Sequence, residues 1–272
     1  MTHREFWINN MKAEQKSDKT ITAYVKDVDD FFVCVGKNDV DVSVADINMW
    51  KMGLSNLAPA SINRKIASVK SYFDCLWDNE IIESNPATRI KQVKNPAREQ
   101  SYIEYSKATE MLKHCKNARD KAIIAIYLTT GIRVSELINL KLADYLNDSA
   151  TIITKGNKQR RIYFNDDCRA IVDEYLKVRK ESAYDNLFIS NQGNPMAAHN
   201  INSMLKVTAR RSGFDENISN HTLRRSAVTE VCDHYGIAAA CAWVGHNNIT
   251  TTQRYVRTTQ NQIANIAANM SL

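Results

Sequence analysis

The chain of 272 residues is 44% hydrophobic and 24% charged and carries a net charge of +6, which is typical of a folded protein with one or two domains. Eight glycines and four prolines leave few turns, which argues against a many-stranded β-sandwich and favours a mainly α-helical fold. Six cysteines without a C-x-x-C pair, and no uncharged apolar run of membrane-spanning length, predict a cytoplasmic protein with reduced thiols, no metal site and no membrane segment.

Two amphipathic helices are predicted in the N-terminal part of the chain. From Ser17 to Val35 apolar residues recur at three- and four-residue spacing, and Ser17 or Asp18 is the expected N-cap. The pattern is stronger after Pro59, where the apolar face is expected to include Trp77. Three cations lie away from that face and predict contacts with phosphates, with a solvated charged face as an equally good interpretation: Arg64, Lys65 and Lys70.

A linker is predicted where Asn-Pro pairs at 85–86 and 95–96 bracket a polar, basic stretch, because proline and its preceding residue discourage helix. We place the linker at residues 91–101, between a helical domain of residues 1–90 and a second domain of residues 102–272. Basic and acidic residues are balanced at 13 each up to residue 97, so the whole excess of +6 lies beyond it. A polyanionic partner is consistent with this excess, but charge alone does not decide it.

The second domain is predicted to contain helices and one small antiparallel sheet. KAIIAIYLTTG is typical of a buried helix that ends at Gly131, and IRVSELINLKL starts a new helical segment with Arg133 at the junction. ATIIT and QRRIYF are β-type runs that flank a turn beginning at Lys155. Helical periodicity returns from Asp166, apart from a short LFI strand and an Asn-Gln-Gly-Asn-Pro turn.

Four segments of this domain contain the residue types that break a phosphodiester without hydrolysing it: TTGIRVSEL, TKGNKQR, HTLRR and WVGHNNITTTQRYV. The reaction needs a nucleophile, donors for the charge on the phosphate oxygens and an acid for the leaving hydroxyl. Arginine suits the second need because its planar fork holds two oxygens and stays protonated. A lysine can protonate the leaving oxygen.

In order and spacing these segments resemble the tyrosine recombinases of the phage integrase family, over about residues 105–257. The resemblance implies a site-specific recombinase or integrase that cleaves and rejoins double-stranded DNA through a 3′-phosphotyrosyl intermediate, with no ATP, metal or other cofactor. It makes Tyr255 the nucleophile and Lys155 the general acid, and it gives Glu136 a supporting role. The whole catalytic set implied by the resemblance is Arg133, Lys155, His221, Arg224, His246 and Tyr255.

The resemblance also implies a role for the N-terminal domain as a core-DNA-binding, SAM-like domain, and a homotetramer that pairs two specific DNA sites. A C-terminal apolar helix is expected to dock on a neighbouring protomer or to fold back on its own domain; it contains Ile263, Ile266, Ala267 and Met270. Further DNA contacts are expected from four cations, of which the three in the hairpin are alternatively strand-edge charges that discourage aggregation: Lys158, Arg160, Arg161 and Arg225.

Two alternatives to a recombinase stay open at the level of sequence. A type IB topoisomerase uses similar chemistry without pairing sites, and a catalytically silent DNA-binding protein can share the scaffold. Arg225, Asn220 and Val244 depart from the residues common at those positions in the family, without removing a catalytic group. The two-domain length favours an Xer-like recombinase, and the sequence does not decide between a mobile-element integrase and a resolver of replicon dimers.

Overall fold

In a computed structural model the chain forms two compact units, the N-terminal unit Met1–Arg98 and the C-terminal unit Glu99–Leu272. The structure describes residues 1–96, 103–147, 149–154, 158–214 and 218–245. Within these residues eleven α-helices and one two-stranded antiparallel sheet confirm the expected mainly α-helical fold. No helix in the described ranges combines the length and the apolar character needed to cross a bilayer.

The described part of the N-terminal unit has four α-helices: α1 His3–Ala13, α2 Asp18–Val35, α3 Val44–Gly53 and α4 Pro59–Asp78. Ser17 caps α2 by accepting a hydrogen bond from the Thr20 backbone, and Gly36 ends the helix in the left-handed conformation with φ 66°. Helix α4 starts with Pro59, whose fixed φ and missing N–H suit the first turn of a helix. The two helices predicted from the sequence are therefore confirmed.

The core of the N-terminal unit is formed mainly where α2 packs against α4. The expectation that Trp77 lies on the apolar face is wrong: its side chain is 51% exposed, whereas the preceding Leu76 is fully buried. The first residues of the predicted linker are attached to this unit. Asn63 of α4 donates to the Val93 carbonyl at 3.0 Å and accepts from the Val93 N–H at 2.8 Å.

The C-terminal unit contains the remaining elements: α5 Tyr105–Glu110, α6 Ala118–Thr130, α7 Val134–Asn139, α8 Leu142–Leu146, β1 Ser149–Thr154, β2 Lys158–Tyr163, α9 Asp166–Val178, α10 Ala198–Arg211 and α11 Asn220–Val244. Helix α6 is buried on nearly all sides and packs against α9 and α11, so it forms the centre of the unit. As predicted, α6 ends at Gly131.

The predicted hairpin is confirmed as the antiparallel pair β1–β2, with a register that sets Ile152 opposite Arg160 and Thr154 opposite Lys158. Its turn, residues 155–157, lies outside the described residues. The predicted LFI strand is wrong, because Leu187 and Phe188 lie in a bend and Ile189 makes only an isolated bridge to Pro195 among the described residues. Burial explains the apolar run: all three side chains pack into the core, and Phe188 stacks on Tyr175.

Candidate active site

The junction between α6 and α7 is built around Gly131. Its N–H donates to the Tyr127 carbonyl at 3.0 Å, and its φ of 55° is left-handed, which favours glycine. A Cβ at this position would lie 2.8 Å from Cζ3 of Trp243, so the junction also requires glycine for space. The tight turn fixes the direction of the chain as it enters Arg133, two residues later.

Glu136 holds Arg133 at the start of α7. Its carboxylate accepts from the Arg133 backbone N–H at 2.9 Å and from Nη1 at 2.7 Å. The Glu136 side chain is 3% exposed and that of Arg133 29% exposed. Burial opposes the charge of Glu136, but the hydrogen bonds from Arg133 and the charge of Arg160 outweigh it and lower the pKa of Glu136 below its usual range. The carboxylate therefore stays ionised and orients Arg133.

The start of α11 is anchored by a buried polar network. Ser219 caps the helix, and the amide of Asn220 accepts from the Tyr127 hydroxyl at 2.7 Å and donates to Asn202 at 2.7 Å. Burial raises the pKa of Tyr127, so its hydroxyl remains a neutral donor. The network ties α11 to α6 and α10 and leaves His221, the next residue, exposed at the surface. The departure at position 220 thus has a structural role.

Arg224 lies one turn further along α11 and is 4% exposed. Its guanidinium donates to the carbonyl of Gly131 and, at 3.4 Å, to that of Val244. Carbonyls at helix C-termini carry partial negative charge, so a guanidinium is favourable beside them. The contact with Gly131 spans 93 positions of sequence and brings Arg224 to the turn that carries Arg133.

Arg160, expected among the DNA contacts, lies inside the protein with 9% exposure. It contacts the Thr130 and Trp243 carbonyls and the Glu136 carboxylate, and burial lowers its pKa. Arg161 is exposed, as expected for adjacent residues of a strand. The sequence contained a signal for this arrangement, because alternation places Arg160 on the same face as the buried Ile162.

The structure describes some of the other predicted site residues and not the rest. Lys155, His246 and Tyr255 lie outside the described residues, as does the C-terminal apolar helix. The backbone of Lys158 opens β2. Arg225 is half-buried beside Arg224 and has interaction partners. The structure therefore brings together Arg133, Glu136 and Arg224 of the predicted catalytic and supporting residues.

Two of the α4 cations are paired with a carboxylate that the sequence interpretation missed. Asp27 of α2 is 2% exposed and accepts from Arg64, from Lys65 at 3.2 Å and from the Ser68 hydroxyl at 2.9 Å. Lys65 also pairs with an aspartate of α2 at the surface. Lys70 is half-buried and makes no ion pair in the part of the unit that the structure describes. The sequence does contain an indication of this burial, because helical spacing places Asp27 on the same face of α2 as the apolar Phe31.

A family model described as the phage integrase family matches residues 101–262, which is more than half of the chain. The chain belongs to this family. A second model, described as the phage integrase N-terminal SAM-like domain, matches residues 5–80. This integrase-family protein is an enzyme, a tyrosine-type recombinase that breaks and rejoins DNA strands at specific sites.

The proteins that are similar to this chain include recombinases and integrases. The "Tyrosine recombinase XerC" of Caldanaerobacter subterraneus subsp. tengcongensis is 30% identical over 284 residues, which cover 91% of this chain and 80% of the relative. The fold is shared with a lambda integrase dimer bound to a COC′ core site, at a TM-score of 0.76, 14% identity and coverage of 92% and 93%. It is also shared with XerH bound to palindromic difH substrate in a post-cleavage complex, at a TM-score of 0.75, 17% identity and coverage of 92% and 79%.

Proposed function

We propose that this recombinase uses Arg133, Arg224, His221 and the three residues Lys155, His246 and Tyr255 as one active site for DNA strand exchange. The observation that carries the proposal is the hydrogen bond from Arg224 to the Gly131 carbonyl. It brings an arginine of α11 to the turn that holds Arg133, as a pair of phosphate-binding arginines requires. The α11 network also presents His221 at the surface of the same unit.

In the proposed reaction the Tyr255 oxygen attacks a backbone phosphorus atom and the bond to the 5′ oxygen breaks. The phenolic proton of Tyr255 passes to solvent water, and Lys155 gives a proton to the leaving 5′ oxygen, so a 3′-phosphotyrosyl link and a free 5′-hydroxyl result. Arg133 and Arg224 stabilise the charge on the non-bridging oxygens, and the two histidines stabilise phenolate character on Tyr255. A 5′-hydroxyl of the partner strand reverses the step and rejoins the DNA.

The nucleophile is tested with a nicked suicide DNA substrate that contains candidate sites from the genomic neighbourhood of the coding sequence. Wild-type protein is expected to form a covalent protein–DNA band in denaturing electrophoresis. Tyr255→Phe is expected to retain DNA affinity within about twofold and to form no band, because only the reacting oxygen is removed. A band that persists in Tyr255→Phe would contradict the assignment.

The same preparation separates the two alternatives. A protein that binds the site but forms no covalent band is the catalytically silent DNA-binding protein. A protein that relaxes supercoiled plasmid and does not recombine two copies of its site is a type IB topoisomerase. Recombination of a two-site plasmid, with inversion or excision of the segment between the sites, supports the proposed strand exchange.

For the N-terminal domain we propose a core-DNA-binding role, with residues 1–90 as the domain, 91–101 as the linker and 102–272 as the catalytic domain. The match of residues 5–80 to the SAM-like model supports it.

The α4 cations Arg64, Lys65 and Lys70 are the proposed phosphate contacts. Lys70→Ala is expected to lower the slope of log affinity against log salt by about 1, the effect of losing one phosphate contact. An unchanged slope would remove Lys70 from the interface.

We also propose that the enzyme works in the cytoplasm as a homotetramer on two specific double-stranded sites, as an Xer-like recombinase. The names of its relatives support the Xer-like assignment. Sizing of the protein on DNA is expected to show four protomers with two sites.

Truncation after Arg257 is expected to leave only assemblies of fewer than four protomers if the C-terminal helix is exchanged between protomers. Unchanged assembly would contradict exchange.

A further inference from the structure

Arg160 lies where three chain segments meet strand β2 in the C-terminal unit. Its side chain is 7% exposed. Nη1 donates to the carbonyl of Trp243 at 2.7 Å and to that of Thr130 at 3.3 Å, and Nη2 donates to Oε2 of Glu136 at 3.3 Å. One guanidinium therefore connects β2 to the end of α6, to the first turn of α7 and to the end of α11.

Each connected segment leads into a residue of the proposed catalytic set. The contacted carbonyl at the end of α6 lies three residues before Arg133, and the one at the end of α11 lies three residues before His246. Arg160 itself follows Lys155 by five residues in the hairpin. Glu136 adds a direct connection, because the same carboxylate that contacts Arg160 accepts two hydrogen bonds from Arg133.

Stability alone does not account for a charge at this position. Burial lowers the pKa of Arg160 although Glu136 is its neighbour, and its buried Nε has no hydrogen-bond partner among the described residues. Replacing a buried ion pair by apolar groups of similar volume is often neutral or stabilising. The hydrogen bonds of Arg160 are therefore better explained by the geometry that they impose on the connected segments.

We propose that Arg160 is a positioning residue for strand cleavage, an inference that rests on the proposed catalytic set. It holds the hairpin, the turn of Arg133 and the end of α11 in one arrangement, so that their catalytic groups meet at a single phosphate. It touches no DNA. The close approach of Gly245 supports this role, since a Cβ there would lie 3.0 Å from Cδ of Arg160. The chain that leaves α11 thus runs directly against the arginine.

The neighbouring residues of β2 provide matched comparisons. Gln159 and Arg161 are both exposed, on the opposite face of the strand from Arg160. A phosphate contact supplies affinity and salt dependence, so its removal weakens binding and lowers the salt slope by about 1. A positioning residue instead changes the rate of cleavage by protein that is already bound. Measurements of the salt slope and of the cleavage rate therefore distinguish a phosphate contact from a positioning residue.

The test uses full-length Arg160→Met, Arg160→Lys, Arg161→Met and Gln159→Ala. Affinity for double-stranded site DNA is measured over a salt series, and covalent-complex formation is measured on the nicked suicide substrate at saturating protein. Arg160→Met is expected to slow cleavage about 10- to 100-fold with an unchanged salt slope, because small misplacements of reacting groups are costly. Arg160→Lys should recover little, since one ammonium does not reproduce the fork. Gln159→Ala should match wild type, and Arg161→Met should lower the slope.

A second comparison covers the case in which Arg160→Met destabilises the unit by removing one of the two cations that contact the buried Glu136. The double variant Glu136→Gln/Arg160→Met removes both charges and is compared with Glu136→Gln alone. Positioning predicts that the double variant cleaves about tenfold more slowly than the single variant when both are folded. Equal rates would overturn the inference.

Two further outcomes decide the inference and its basis separately. Wild-type cleavage by Arg160→Met, or a lowered salt slope in that variant, would overturn the positioning role. If wild type and Gln159→Ala bind the site but form no covalent complex, the proposed catalytic function fails instead. The matched variants therefore show which of the two proposals is wrong.

Discussion

A buried carboxylate contacts two cations in each unit of the molecule, but the two carboxylates connect different kinds of chain segment. Asp27, 2% exposed, receives its cations from consecutive positions of α4 in the N-terminal unit. Glu136, 3% exposed, receives one from the start of its own helix and one from β2 in the C-terminal unit. The first carboxylate joins one helix to another through two adjacent cations, and the second joins the start of its own helix to a strand.

The exposure of the cations shows what this difference means for function. The side chain of Arg64, beside Asp27, is 45% exposed, so its guanidinium is held at the surface. That of Arg160, beside Glu136, is only 7% exposed. In the N-terminal unit the carboxylate orients cations that we propose as phosphate contacts. In the C-terminal unit a cation and a carboxylate together connect β2 to the start of α7, which carries Arg133. Similar ion pairs therefore hold a cation at the surface in one unit and inside the protein in the other.

The largest expected difference is between the variants Glu136→Ala and Asp27→Asn. Glu136→Ala leaves a buried arginine unpaired and should lower the free energy of unfolding by about 3–5 kcal/mol, with loss of covalent-complex formation. Asp27→Asn retains a polar group for Ser68, and its two cations keep other partners, solvent for Arg64 and a second aspartate for Lys65, so a loss of about 1 kcal/mol is expected. Denaturant unfolding and the suicide-substrate assay measure both effects. Equal losses of stability would contradict the contrast between the two carboxylates.

A smaller contrast is expected for the glycines that end α2 and α6. Gly36 and Gly131 both have a left-handed backbone, with φ 66° and 55°. Nothing lies within 4 Å of a Cβ built on Gly36, whereas one on Gly131 meets Trp243 at 2.8 Å. Gly36→Ala should therefore cost about 1 kcal/mol and Gly131→Ala about 2–4 kcal/mol. Thermal unfolding of both variants tests this, and only Gly131→Ala should also slow cleavage.

The smallest expected effect concerns pH. The pKa of Glu136 is lowered from 4.5, so the folded state binds this proton less readily than the unfolded chain. The resulting stability is present above pH 4.5 and is lost as pH falls through the folded value. The difference in melting temperature between wild type and Glu136→Gln should shrink in that range. A difference that stays constant down to acid pH would show that ionisation of Glu136 is not responsible.

The N-terminal unit allows a direct comparison by NMR titration. Hydrogen bonds from Lys37 and Ser43 lower the pKa of the half-buried Asp46 carboxylate to about 2. The carboxylate signal of Asp46 should therefore titrate near pH 2, below an unperturbed aspartate at 3.8. Lys37→Ala should move it upward, because the first of its hydrogen-bond donors is lost. An unchanged titration would contradict the ion pair.

Local sequence patterns predicted much of the fold. Ser17, Gly131 and the apolar periodicity located α2 and α6, because caps and amphipathic spacing are properties of neighbouring residues. The alternation of the two β-type runs likewise located the hairpin. The short apolar run at 187–189 was misassigned because burial alone makes a sequence apolar, whether or not its backbone pairs in a sheet.

The sequence predicts the residues of the candidate site where they belong to a motif. It predicts less well which side chains are buried, because burial depends on tertiary contacts. The segment around Arg133 and the H-x-x-R segment containing Arg224 indicated two arginines of one site, and a tertiary hydrogen bond joins their segments. The charge of Arg160 predicts an exposed residue, whereas the alternation of the strand places it on the buried face with Ile162. Asp27 was missed because its importance depends on α4, which follows it by more than thirty residues.

The fixed end of α11 sets a limit on where strand cleavage takes place. Arg160 and Arg224 bind the last carbonyls of this helix, and Gly245 ends it with φ 66°. Tyr255 follows ten residues later. An extended chain spans at most about 3.3–3.6 Å per residue, so the tyrosine backbone stays within about 36 Å of Gly245. This tether confines the proposed nucleophile to phosphates near its own protomer or an immediate neighbour, whatever the length of the DNA bound.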